Sequence, residues 1–126
     1  MDTPHFSLVP LDFDQNLEWR RRIIQEGASC PRAANQLTEM FRQDLLLWLS
    51  TVCWTHDPRI KNCPYIPFIP YEYQQEYMLQ IADAVGNHDL LIEKSRDMGA
   101  SWMVLMVLLW YWHFVPGQGF LVGSRK

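Results

Sequence analysis

The chain is poor in cysteine, has no excess of basic charge, and loses its acidic residues altogether near the carboxyl end. Each shortage narrows what it can be. Cysteine occurs three times, as Cys30, Cys53 and Cys63. An odd and sparse set argues against a disulfide framework and fits a reducing compartment. Eleven Lys and Arg stand against fourteen Asp and Glu, a formal charge of −3. That balance lacks the basic excess of a nucleic-acid binder without excluding one, because a larger parent could carry such a surface elsewhere. The opening Met1-Asp2-Thr3-Pro4-His5 has no basic stretch followed by an apolar run, and no signal peptide is visible. There is no internal repeat and no low-complexity segment. Neither Gly-x-Ser-x-Gly nor His-Glu-x-x-His occurs, so the motifs of a serine-hydrolase elbow and of a zinc protease are missing. Cys53, His56 and Cys63, with Cys30 as a fourth, offer only one short ligand pair where structural zinc sites use two.

What is present is apolar and aromatic. Hydrophobic residues make up 48% and charged residues 20% of the 126 positions, enough to bury a core and to exclude disorder as the dominant state. Residues 1–15, with Pro4 and Pro10, read as an irregular arm. Asn16 to Gln25 reads as a short helix with Arg20-Arg21-Arg22 solvated and Gly27 as its breaker. Ser29-Cys30-Pro31 is a helix start. Leu37, Met40, Phe41, Leu45 and Trp48 then recur at steps of three and four, predicting one amphipathic helix from about Pro31 to Val52. Pro58, Pro64, Pro67 and Pro70 make the next stretch an extended linker. Tyr73, Tyr77, Ile81 and Val85 restore helical spacing up to Gly86-Asn87.

The last forty residues alternate in character. Asp89 to Glu93 reads as a short buried strand, Lys94 to Ser101 as a polar loop, Trp102 to Val115 as an apolar helix, and residues 119–123 as a second strand. Strand, loop, helix, strand is a βαβ unit, which predicts two adjacent parallel strands with a right-handed crossover. Met98 to Val115 also contains no Asp, Glu, Lys or Arg, which by length makes it a candidate membrane span. A helix buried between a sheet and other helices is the better expectation. Its strongly apolar part is shorter than the run, and a β-like segment stands on each side.

The octet Lys94-Ser95-Arg96-Asp97-Met98-Gly99-Ala100-Ser101 falls where a phosphate-binding loop belongs, between strand and helix. Such loops follow G-x-x-x-x-G-K-[ST]: backbone N–H groups wrap the phosphates, a lysine neutralises them, and a hydroxyl holds Mg²⁺. Gly99 and Ser101 keep the second glycine and the hydroxyl. Lys94 replaces the first glycine, and Ala100 stands at the usual lysine position. A lysine at the loop's start can curl back across it toward the same phosphates, with Arg96 as a second cation.

From about Pro67 to Lys126 the chain resembles the start of the ATPase domain of phage large terminase subunits, the motors that package DNA into proheads. Leu91 through Trp102 is similar to the deviant Walker A segment of these motors, in part of which the lysine sits at the loop's start. Pro70-Tyr71-Glu72-Tyr73-Gln74 resembles the upstream adenine-recognition segment. Phe120 to Lys126 is similar to the following strand and its polar exit.

The resemblance implies an α/β fold: the start of a P-loop NTPase domain over residues 64–126, preceded by an α-helical N-terminal region over residues 1–63. It implies ATP and Mg²⁺ as cofactors. Lys94 would contact the β and γ phosphates and Arg96 the γ phosphate, these two being the candidate catalytic residues. Ser95, Gly99, Ala100 and Ser101 would line the nucleotide, with Ser101 on Mg²⁺. Gln74 would read the adenine edge with Tyr73 packed nearby; capping its own helix is the alternative for Gln74, and a core position for Tyr73.

The implied partners are double-stranded DNA, the portal and the small terminase subunit, engaged through a full-length, ring-forming parent. That parent would act in the cytoplasm of an infected host, transiently at the prohead portal. No Asp or Glu follows Asp97. The carboxylates that hold Mg²⁺ and activate water in this class would therefore lie outside these residues. The expectation is an ATP-binding fragment that does not turn ATP over alone. The alternative is a non-enzymatic membrane or interaction protein built around the helix at 102–115.

Overall fold

The computed structural model describes residues 1–93 and 100–124. A 3-10 turn, Phe6–Leu8, opens the chain. Among the described residues five α-helices and one two-stranded antiparallel sheet follow: α1 (Phe13–Ser29), α2 (Pro31–Gln43), α3 (Leu45–Val52), β1 (Trp54–His56), β2 (Tyr65–Pro67), α4 (Glu72–Ala84) and α5 (Ala100–Phe114).

Helix α1 starts where Asp12 Oδ2 accepts the Gln15 N–H at 3.2 Å, a side-chain cap of the usual kind. It runs through Gly27, which the sequence marks as a breaker. A Cβ at Gly27 would lie 3.3 Å from Leu37 Cδ1. The glycine therefore serves the close approach of α2 and does not end α1. The stop comes at Cys30, whose extended backbone and Sγ, accepting the Ala33 N–H at 3.4 Å, begin α2 with Pro31 in its first turn.

The single helix expected over 31–52 is two. Asp44 adopts φ −144°, ψ 100° between them. Its Oδ1 accepts the Leu47 N–H at 2.9 Å, and its Oδ2 accepts the His5 N–H at 2.8 Å. The apolar stripe continues across the break, so the spacing alone does not reveal it. The consequence is a division of labour: α2 buries none of its residues, whereas α3 buries all of its residues except Val52.

The core is built from α3, α4 and α5: Leu45, Leu46, Trp48 and Leu49 meet Met78, Ile81 and Ala82, and Met103, Met106, Val107, Trp110 and Phe114. Fully burying an aliphatic or aromatic side chain of this size contributes roughly 1.5–3 kcal/mol. Two polar ties fix α5 in place: Trp110 Nε1 donates to the Phe41 carbonyl at 2.9 Å, and the Tyr111 hydroxyl donates to the Ala82 carbonyl at 2.7 Å. Helix α4 is followed by Gly86 and α5 by Gly117, at φ 75° and 79°, left-handed positions that favour glycine.

Arg20 corrects the expectation of a solvated triple arginine. Arg21 and Arg22 are exposed, but Arg20 is only 2% exposed. Its Nε donates to Asn16 Oδ1 at 2.7 Å, and its two terminal nitrogens donate to the Cys53 and Phe68 carbonyls at 2.6 and 3.0 Å. Asn16 Nδ2 in turn donates to the carbonyls of Pro10 (2.9 Å) and Ser50 (3.0 Å). This polar staple joins α1, the end of α3 and the exit of β2.

The segments read as parallel strands, 89–93 and 119–123, have no strand structure. The only ladder among the described residues pairs β1 with β2, Trp54 opposite Pro67 and His56 opposite Tyr65. The physical reason lies in coverage. Parallel sheets persist when both faces are packed, yet Leu91 and Leu121 are 96% and 99% exposed. Among the described residues no helix is long and apolar enough to cross a membrane. At about 1.5 Å per residue, α5 spans roughly 22 Å of the ~30 Å that a bilayer core requires.

Candidate functional site

The prolines of the 64–70 stretch deliver an extended chain to the start of α4. Pro67 closes β2, and Pro70 leads into Tyr71, the N-cap residue at φ −66°, ψ 160°. The first turn of α4 is then held by its own glutamines. Gln74 Oε1 accepts the Tyr71 N–H at 2.9 Å, and Gln75 Nε2 donates to the Pro70 carbonyl at 3.1 Å. Gln74 is buried and caps the helix that it helps to begin. Its Nε2 makes no hydrogen bond among the described residues, so this amide retains donor capacity. The ring of Tyr73 stacks on Tyr71 with centroids 6.0 Å apart and planes 12° apart, and meets Tyr77 edge-on at 6.2 Å. All three rings remain exposed.

Tyr71, Tyr73, Gln74 and Gln75 border an open cleft of about 860 Å³, within the size range of small-molecule sites. Its floor is Ile66 to Pro70. The first turn of α4, Tyr71 to Gln75, forms one side. Trp102, from the first turn of α5, closes another, and Leu11, Phe13 and Thr55 complete the wall. Glu72 is the one charged side chain among these described lining residues. The cleft is thus aromatic and amide-lined, suited to a flat, uncharged group rather than to an anionic one.

Tyr73 and Gln74 are accordingly brought together on the cleft. Ser101 is exposed at the second position of α5, next in the chain to Trp102, while Ala100 before it is buried. A lysine side chain at position 100 would start inside the core. Lys94, Ser95, Arg96 and Gly99 lie outside the described residues.

The cysteines are dispersed among structural roles. Cys30 caps α2, and exposed Cys63 lies with its Sγ 3.7 Å from the Tyr65 carbonyl. Cys53 is buried, and burial pushes its thiol up from 9.0 to about 12, with Arg20 opposing. Burial likewise lowers Arg20 from its ordinary value to about 10. Among the described residues no group of three or more His, Cys, Asp or Glu is placed to hold a metal ion.

Sequence reasoning missed Leu11, Phe13, Thr55 and Trp102 as cleft residues. The first three come from outside the segment that carries the motif, and no spacing rule links them to it. Trp102 was legible as part of an apolar helix and as the end of the Walker A-like segment, but not as a cleft residue. Comparison with known proteins adds no relative: no family model, curated protein or solved structure matches the chain.

Proposed function

We propose that the chain is the ATP-binding segment of a viral DNA-packaging motor of the large-terminase type. The observation that supports this reading is that one cleft is bordered both by Tyr71 to Gln75 and by Trp102. The resemblance gives the first segment to the adenine and the neighbourhood of the second, from Lys94 to Ser101, to the phosphates. The free Nε2 of Gln74 matches the acceptor nitrogens of an adenine edge, and its Oε1 has a second lone pair for the exocyclic amine. The Ser101 hydroxyl would hold Mg²⁺, which supplies charge neutralisation at the phosphates. Lys94 and Arg96 would contact the β and γ phosphates. Turnover, and engagement of double-stranded DNA, portal and small subunit, belong in this proposal to a longer, ring-forming parent.

Isothermal titration calorimetry with MgATP tests the reading. The chain should bind, and Lys94→Ala should weaken binding by about 10- to 150-fold, the equivalent of one charge-assisted hydrogen bond. No heat of binding, or an unchanged affinity in Lys94→Ala, would refute this account.

A second reading is a non-enzymatic interaction protein. Trp102, Leu105, Leu109 and Trp112 form an exposed stripe along α5 at steps of three, four and three, the spacing of a helix–helix seam. Sedimentation equilibrium separates the two: a stable oligomer that binds no MgATP favours the seam.

A further inference from the structure

The cleft is not confined to the segment that carries the phosphate-loop resemblance. Phe13, the first residue of α1, and Leu11, just before the helix, line it together with Tyr73, Gln74 and Trp102. Both are large apolar side chains left about half exposed, at 46% and 50%. Neither belongs to the hydrophobic core. Their position is nevertheless fixed. Asn16 Nδ2 holds the carbonyl of Pro10, the residue before Leu11, and Arg20 holds the carbonyl of Phe68 on the cleft floor. The polar staple thus ties the α1 wall and the floor to one another across 48 residues of sequence. A buried guanidinium carries a desolvation penalty that an apolar side chain would avoid. What the arginine supplies here is a fork that holds Asn16 and two backbone carbonyls in one geometry.

We infer that the N-terminal helical region contributes directly to the ligand site, with Phe13 and Leu11 forming an apolar wall against which the ligand's heterocycle packs. This rests on the nucleotide reading above. The chemistry favours a planar base as the group that meets the wall. Aromatic rings bind base faces with little regard to sequence, and the described lining has no cation to attract phosphate. Asn16 and Arg20 are positioning residues; Phe13 and Leu11 touch the ligand.

The experiment compares MgATP with inorganic tripolyphosphate, titrated calorimetrically into the full 126-residue chain. Phe13→Ala should weaken MgATP by at least about 5-fold, the lower end for loss of one base-stacking ring. Tripolyphosphate, which has no base, should bind Phe13→Ala as it binds the parent, and Phe13→Trp should keep MgATP affinity. Leu11→Ala should give a smaller loss in the same direction. Should Phe13→Ala lose helical circular dichroism, Phe13→Leu carries the same comparison without the ring.

If the parent binds MgATP and the position 11 and 13 variants bind it equally well, the wall is not part of the site, while the nucleotide reading stands. An equal loss for MgATP and tripolyphosphate also overturns the inference, because the base is then not what Phe13 meets. If the parent binds no MgATP, the nucleotide reading fails and takes this one with it.

Discussion

Replacing Arg20 by methionine tests whether the staple stabilises the fold. Methionine keeps the length and apolar stem and removes the guanidinium. Three donated hydrogen bonds are lost, to Asn16 Oδ1, the Cys53 carbonyl and the Phe68 carbonyl. The Cys53 carbonyl keeps a partner, because the Phe68 N–H also donates to it at 3.1 Å. Two acceptors, Phe68 O and Asn16 Oδ1, lose this donor. Each buried acceptor left without a partner costs about 1–3 kcal/mol. The contact of the guanidinium with the Trp54 ring, 4.9 Å from its centroid, goes as well. Against these losses stands the relief of no longer burying a charge, the same desolvation that lowers Arg20 to about 10. The net expectation is a destabilisation of about 3 kcal/mol, near the low end for breaking a buried charged network. Urea unfolding followed by circular dichroism at 222 nm measures it, with unchanged denaturant slope as the sign that the same surface unfolds. Arg21→Met, which removes an exposed ion pair to Glu18, should stay within about 0.5 kcal/mol. An Arg20→Met chain as stable as the parent would show that the staple contributes nothing net.

Four further outcomes follow from the same geometry. At pH 8, Cys30 and Cys63 should react with a thiol reagent and Cys53 should not until the chain unfolds, since moving from 9.0 to about 12 cuts its thiolate population by about a thousand-fold. The folded Cys53 then keeps a proton that the unfolded chain has lost above pH 9.0, so stability should fall as pH rises above 9. Asp44→Ala removes the acceptor for both Leu47 and His5 and should cost about 2 kcal/mol in urea unfolding, with Asp44→Asn milder. Ala100→Lys, which restores the usual lysine position of a phosphate loop, should lower the thermal midpoint rather than improve MgATP binding, because that position is buried.

Particular residues show where the sequence was legible. The spacing of Tyr73, Tyr77 and Ile81 places α4, although Tyr73 and Tyr77 are exposed and the buried face runs through Gln74, Met78, Ile81 and Ala82, and the uncharged run places α5. Asp44 leaves no trace: the apolar stripe runs through it in phase, and only the capping geometry divides the helix. Arg20 was hidden by its neighbours, since three consecutive arginines read alike although only one faces inward. Leu91 and Leu121 show the converse error. Short apolar runs record affinity for cover but not whether cover is there. The cleft wall at Leu11 and Phe13 was the least legible, since nothing local marks a half-exposed phenylalanine as a neighbour of Tyr73.

The six tryptophans are distributed so as to make the molecule its own optical probe. Trp48 and Trp110 are shut in the core, whereas Trp54, Trp102 and Trp112 are exposed and Trp19 donates to Thr51 from a half-buried site. Their emission should therefore separate into a blue, quencher-resistant component and a red component open to iodide. Only Trp102 lies on the cleft. A chain carrying Trp102→Phe would be spectrally almost intact yet blind to whatever enters there, so that one indole can report occupancy without any label.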